Sequence, residues 1–241
     1  MARHTIILAQ MLCISLLFSC ASAERDNPFD DDGGGSCYGY DWKLGTSFID
    51  SRDGKEYKTI EYEITAQKEC KGKEHRWRRV WMAENLNYNA SGSKCYYNEE
   101  TYCTTYGKLY DFETAKTVCP SGWRLPSSNE WDEVGWAISE GNPSRAGREL
   151  RAASGWDAVC NNTGDIHGFS ALPGGWYERT FNDAGTSGYW WTSTENAKNW
   201  CNSGHIYRYM NCSNAKYSNG LDAICLIGNR PEMLSVRCVQ D

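Results

Sequence analysis

The chain opens on an apolar run. Residues 6–18 are broken only by Gln10 and Ser15, and Arg3 and His4 precede them. A weakly basic start before a short apolar run has the texture of a secretory h-region, well below the roughly 20 residues of a spanning helix. The pattern then inverts. Residues 24–36 contain Asp30-Asp31-Asp32-Gly33-Gly34-Gly35, bury nothing, and read as a flexible acidic tether. From Cys37 onward, apolar and aromatic positions return in short runs. Asp53-Gly54 predicts a hairpin turn, leading into strand-like alternation over residues 56–64. Residues 67–79 are polar and strongly charged and predict an inserted hairpin, after which Val80-Trp81-Met82 resumes strand character.

Helical spacing follows. A short helix is predicted over residues 111–117. A second starts at the capping box Ser127-x-x-Glu130, with Trp131, Val134, Ala137 and Ile138 on one stripe, and Gly141-Asn142-Pro143 stops it. A third is expected over residues 144–152. Beyond it, glycine turns separate predicted strands at 169–172, 189–193, 206–210 and 234–239. Short strands with two or three short helices predict an α+β fold. The organisation read from this is a signal over residues 1–20, a tether over 21–36, and one domain over 37–241.

Cysteine and charge change the picture. Leu17-Phe18-Ser19-Cys20 resembles a lipobox, which would place a lipid on Cys20. Ala21-Ser22-Ala23 offers a competing cleavage site that would release a soluble product. The lipid reading is preferred, with an outer-membrane lipoprotein on the periplasmic or surface face as the expected location. Of twelve cysteines, Cys13 leaves with the signal and Cys20 would carry the lipid. The remaining ten in an exported chain read as up to five disulfides. Cys37 is paired provisionally with Cys70, and Cys95 with Cys103. Cys201-x-x-x-His205 with Cys212 is the nearest approach to a zinc pattern, and no paired C-x-x-C supports it. A net charge of -6 argues against a nucleic-acid partner, which calls for a basic surface.

Six strings carry a family resemblance: Trp81-Met82-Ala83-Glu84-Asn85-Leu86-Asn87-Tyr88, Tyr106-Gly107-Lys108-Leu109-Tyr110, Cys119-Pro120-Ser121-Gly122-Trp123-Arg124-Leu125-Pro126, Phe169-Ser170-Ala171-Leu172-Pro173-Gly174-Gly175, Tyr189-Trp190-Trp191-Thr192-Ser193-Thr194-Glu195 and Ser235-Val236-Arg237-Cys238-Val239. Their order and spacing over about residues 50–241 resemble the Fibrobacter succinogenes major paralogous domain. They are also similar to the wider C-type-lectin-like group. That resemblance implies two helices flanking small antiparallel sheets, paired terminal strands, and a Cys119–Cys238 disulfide. The calcium-binding string of sugar-binding lectins is absent, and Phe181-Asn182-Asp183 matches only part of another. The formylglycine-generating oxidases share the Trp-Arg-Leu-Pro turn, but Cys238 is better explained as a structural disulfide than as a copper ligand.

Eleven Trp and fifteen Tyr invite a carbohydrate reading, because sugar C–H faces stack on aromatic rings. Trp81, Trp123, Trp131, Trp190 and Trp191 lie in the motif strings and are assigned to the core. Trp156, Trp176, Tyr177, Trp200, Tyr207 and Tyr209 lie in polar or glycine-rich segments and are the ligand candidates. Trp176 ranks first, behind the Gly174-Gly175 bend. Glu84, Asn85, Arg124, Glu195 and Arg237 are expected to hold loops together rather than to catalyse, since no nucleophile and base are visibly paired. The expectation is a non-catalytic envelope module that binds plant cell-wall polysaccharide, with no metal or cofactor. A protein-binding or structural envelope component is the alternative.

Overall fold

The computed structural model describes residues 37–67, 74–158, 165–195, 205–211, 222–225 and 233–241, with backbone alone at 143–144, 195 and 222–225. The first half of the chain gives β1 (Tyr38–Leu44), β2 (Phe48–Ile49), β3 (Glu56–Tyr57), β4 (Thr59–Ala66) and β5 (His75–Met82). After a 3-10 turn at Tyr96–Asn98 come α1 (Glu100–Tyr106), β6 (Leu109–Tyr110), α2 (Phe112–Ala115), β7 (Trp123–Arg124), α3 (Ser128–Ile138) and α4 (Pro143–Leu150). The remainder is β8 (Trp176–Glu178), β9 (Thr180–Asn182), β10 (Ser187–Glu195), β11 (His205–Asn211), β12 (Asp222–Cys225), β13 (Leu234–Ser235) and β14 (Val239–Gln240). The protein is therefore α+β, with few helices and small sheets. Among the described residues one five-stranded sheet runs β1-β4-β5-β14-β7 and a second β12-β11-β10-β13-β6, together with two-stranded sheets β2-β3 and β8-β9. Pairing is antiparallel except between β10 and β13, which run parallel. Among the described residues no helix is long and apolar enough to cross a membrane.

Alternation builds the first sheet. Ile60, Tyr62, Ile64 and Ala66 of β4 are fully buried, while Glu61 and Glu63 point outward. The charged stretch that reads as an insertion is the second arm of a β4–β5 hairpin, with Ala66 opposite His75. Its charges form cross-strand pairs on the outer face. Arg78 donates twice to Glu61, both at 2.7 Å, and Lys43 stands 3.1 Å from the same carboxylate. The tip of this hairpin lies outside the described residues.

Helix α3 covers the inner face, and its capping box forms as predicted. Glu130 N–H donates to Ser127 Oγ, and Ser127 N–H donates to Glu130 Oε2. Trp131 meets Trp81 edge-on at 4.9 Å and lies 5.6 Å from Trp190. Trp81, Trp131, Trp190 and Trp191 are all buried, and Trp123 is half-buried and stacks on Phe48.

Two expectations need correction. Residues 169–172 do not form a strand. They make a single bridge, Ala171 to Arg151, and Ser170 has a φ of 54°, outside the extended region. The carbonyls of Phe169 and Ser170 accept from Arg237 instead of from a ladder. Helix α1 is the converse, a helix that the hydrophobic pattern hides. Only Cys103 of its seven residues is buried, so it has no apolar stripe, and its anchor is covalent. Cys95–Cys103 ties it to the preceding turn, and Cys119–Cys238 ties the segment after α2 to the end of the chain. Cys37 is disulfide-bonded. Cys70, its expected partner, lies outside the described residues, as do Cys20, Cys201 and Cys212.

Candidate aromatic binding platform

The face of the β10–β11 pair that carries Trp191 is aromatic, and it runs from the buried Trp191 to half-buried tyrosines. Period-two geometry puts Tyr189 and Trp191 on one side of β10 and Trp190 on the other. The register sets Tyr189 opposite Tyr209, and Trp191 opposite Tyr207. Rings of Tyr189 and Tyr209 lie 4.9 Å apart, and those of Tyr189 and Tyr207 lie 6.0 Å apart. Trp176, at the start of β8, joins this row at 6.3 Å from Tyr189. Trp176, Tyr189, Tyr207 and Tyr209 are all half-buried. The first three pack one side against the core that holds Met82, Leu234 and Val236.

One exposed carboxylate organises the row. Trp176 Nε1–H donates to Asp183 Oδ2 at 2.9 Å, and the Tyr189 hydroxyl donates to the same oxygen at 2.8 Å. Asp183 itself is held in the left-handed region, at a φ of 65°. Its carbonyl accepts from Thr186 N at 3.1 Å and Ser187 N at 2.9 Å, which fixes the turn. Gly175 makes this turn possible. A Cβ on Gly175 would lie 2.2 Å from the Asn182 carbonyl oxygen and 2.7 Å from Ala184 N. Only glycine lets the two backbones approach so closely. The Gly174-Gly175 bend thus presents Trp176 and also seats its carboxylate partner.

Burial first, and neighbouring groups second, keep the Tyr189 and Tyr207 hydroxyls protonated. Burial, followed by the Asp183 hydrogen bond and charge, pushes the Tyr189 hydroxyl far above its ordinary range. Burial, then Tyr209, pushes Tyr207 up to about 12. The platform therefore offers hydroxyl donors and one carboxylate acceptor over flat apolar rings.

Of the candidates, Trp176, Tyr207 and Tyr209 meet here. Tyr177 does not, because it lies on the other face of the β8–β9 hairpin, paired with Phe181 and packed towards Tyr96. Trp156 is a correction. It is buried, and its indole N–H donates to the Ala171 carbonyl at 2.9 Å in the interior. Trp200 lies outside the described residues. Sequence reading missed Tyr189 and Asp183. Tyr189 sits in a string dominated by core tryptophans. Tyr189 shares its side of β10 with the buried Trp191, so period two along the strand points to the core and gave no signal for the platform. Among the described residues, one group of three cysteine and acidic side chains clusters within 4.8 Å: Cys95, Glu100 and Cys103. Its two sulfurs are bonded to each other, so it holds no free thiolate.

The polar motif residues serve another purpose. Asn85 Oδ1 accepts from Trp190 Nε1 at 2.8 Å and from Arg237 Nη2 at 3.0 Å, while its Nδ2 donates to the Tyr106 carbonyl at 2.8 Å. Arg237 also reaches the carbonyls of Phe169 and Ser170. Five of the six strings therefore converge on one buried polar node. Arg124, from the sixth, pairs in fork geometry with Glu130. Glu84 accepts from Lys58 N at 2.8 Å.

These features define a disulfide-braced α+β domain with an aromatic sheet face, locked internally by its motif residues. The chain belongs to the Fibrobacter succinogenes major domain family, whose sequence profile matches residues 78–240. The match begins inside β5 and includes the whole platform. No curated protein and no solved structure matches the chain.

Proposed function

We propose that this protein is a non-catalytic, envelope-attached binding module whose aromatic platform takes polysaccharide, plant cell-wall polymers being the intended class. The observation that carries the reading is Asp183 joined to Trp176 and Tyr189, with Tyr207 and Tyr209 extending the row. A sugar needs flat apolar rings for its C–H faces and fixed polar groups for its hydroxyls, and here a single contiguous face combines them. The lectin-like grouping belongs to the same proposal. It is supported by β14 pairing with β5 in the sheet that also holds β1, and by Cys119–Cys238. So does attachment by a lipid on Cys20 in the outer membrane, with residues 24–36 as the spacer, the alternative being secretion after Ala23.

The test is retention of the full chain, in detergent, on insoluble cellulose and xylan. Retention is expected. Trp176→Ala should weaken it by about tenfold or more, with the thermal unfolding profile otherwise preserved. Absence of retention on every polysaccharide tried would reject the glycan reading in favour of a protein partner. For the anchor, incorporation of a palmitate analogue should depend on Cys20, and labelling that survives Cys20→Ala would refute it.

A further inference from the structure

The platform's polarity goes beyond its shape. Asp183 spends one oxygen on two internal donors, Trp176 Nε1–H and the Tyr189 hydroxyl. Its other oxygen, Oδ1, makes no hydrogen bond among the described residues, and the residue is solvent-exposed. Beside the Tyr207 and Tyr209 hydroxyls, the face therefore carries an anionic acceptor. No basic side chain among the described residues hydrogen-bonds or stacks on Trp176, Tyr189, Tyr207 or Tyr209. Their ring partners are one another, with Trp191, and their side-chain hydrogen-bond partners are Asp183, Ser187 and Asn211, the last donating to the Tyr209 hydroxyl. The register also brings Asp222 of β12 opposite Tyr209. Cations do stack on aromatic rings elsewhere in this protein. Arg52 lies 3.9 Å over Tyr88 and Lys94 lies 5.1 Å from the centre of Tyr177. Among the described residues no such cation stacks on the platform rings.

We infer that the platform is selective for neutral polysaccharide and rejects uronic-acid polymers. This rests on the glycan reading above. A carboxylate acceptor takes a hydrogen bond from a sugar hydroxyl, but it faces a uronate carboxylate with a like charge and no proton to share. Recognition of acidic glycans would call for the opposite, a guanidinium or ammonium at the same point. Fixing the carboxylate also has a purpose under this inference. The two donors on Oδ2 hold the Asp183 carboxylate in place and leave Oδ1 to accept from a hydroxyl at the ring edge.

The experiment compares soluble xyloglucan with polygalacturonate, using the full chain in detergent and isothermal titration. Xyloglucan should bind at least about tenfold more tightly at low ionic strength. Raising salt from about 0.01 M to about 1 M shortens screening from about 30 Å to about 3 Å. Xyloglucan affinity should stay level, while any polygalacturonate binding should rise as repulsion is screened. Asp183→Asn can keep an acceptor towards Trp176 and Tyr189 and turn the other atom from acceptor into donor. It should narrow the preference several-fold. Equal affinity for the two polymers, or polygalacturonate binding that falls with salt, would overturn the neutral selectivity while leaving the glycan reading intact. Binding to neither polymer, nor to the insoluble ones, would remove both. The salt series on the unmodified protein decides the matter even where the variant fails to fold.

Discussion

Arg237 is fully buried, and its hydrogen bonds run to neutral oxygens: two carbonyls and the Asn85 amide. Its guanidinium also stacks over Phe169 at 4.4 Å. Burial pulls it down to about 9, which still leaves it charged at neutral pH. A buried charge of this kind needs hydrogen-bond partners, which both Nη groups have and Nε lacks. Asn85 is the shared acceptor, so Asn85→Ala strands the Trp190 indole and one Arg237 donor together. The expected cost is about 3 kcal/mol or more, from unsatisfied buried donors. Urea unfolding would measure it, and a loss below about 1 kcal/mol would show that the node is dispensable. At this scale the sequence was partly legible. The strings marked Asn85 and Arg237 as structural, but residues 85, 106, 169, 190 and 237 meet only in three dimensions. Asp183 was illegible for the same reason, since its partners Trp176 and Tyr189 lie on different strands.

Among the elements, α3 was the most legible, because its cap and stripe are both local. Its capping residue also carries an acid-sensitive contact. Burial would raise the Glu130 carboxyl, but the hydrogen bonds from Arg124 and Ser127 outweigh it and hold the group at about 2. A folded value below the ordinary 4.5 means that the unfolded chain takes up the proton first. The contribution is complete above about pH 4.5 and disappears as pH falls towards about 2. Glu130→Gln should therefore lower the melting temperature near neutral pH, and its curve should converge with the unmodified curve by about pH 2. Curves that stay parallel across this window would refute the linkage. Helix α1 shows the limit of local pattern, because a seven-residue helix that buries one cysteine has no periodicity to read. Residues 169–172 show the complementary failure. Their apolar pattern fits a strand, but their carbonyls serve a distant arginine.

For the whole molecule, the Cys119–Cys238 and Cys95–Cys103 disulfides do unequal work. Cys119 and Cys238 are 119 residues apart in sequence, while Cys95 and Cys103 are eight apart. Loop-closure entropy assigns roughly 5 kcal/mol to the first and roughly 2.5 kcal/mol to the second. Replacing Cys119 and Cys238 by serine should cost about 2 kcal/mol more than the same change at Cys95 and Cys103, as read from chemical denaturation. The reverse order would refute the entropic account. The amino-acid sequence by itself determined the α+β class, the α3 cap, the core tryptophans and the family. All of these depend on spacing along the chain or on local hydrogen bonds. Tertiary structure alone decided that Trp156 is interior, that Tyr177 lies on the far side of its hairpin, and that Trp176, Asp183, Tyr189, Tyr207 and Tyr209 form one face. Which side of a strand is covered depends on what packs there, and that neighbour can come from anywhere in the chain.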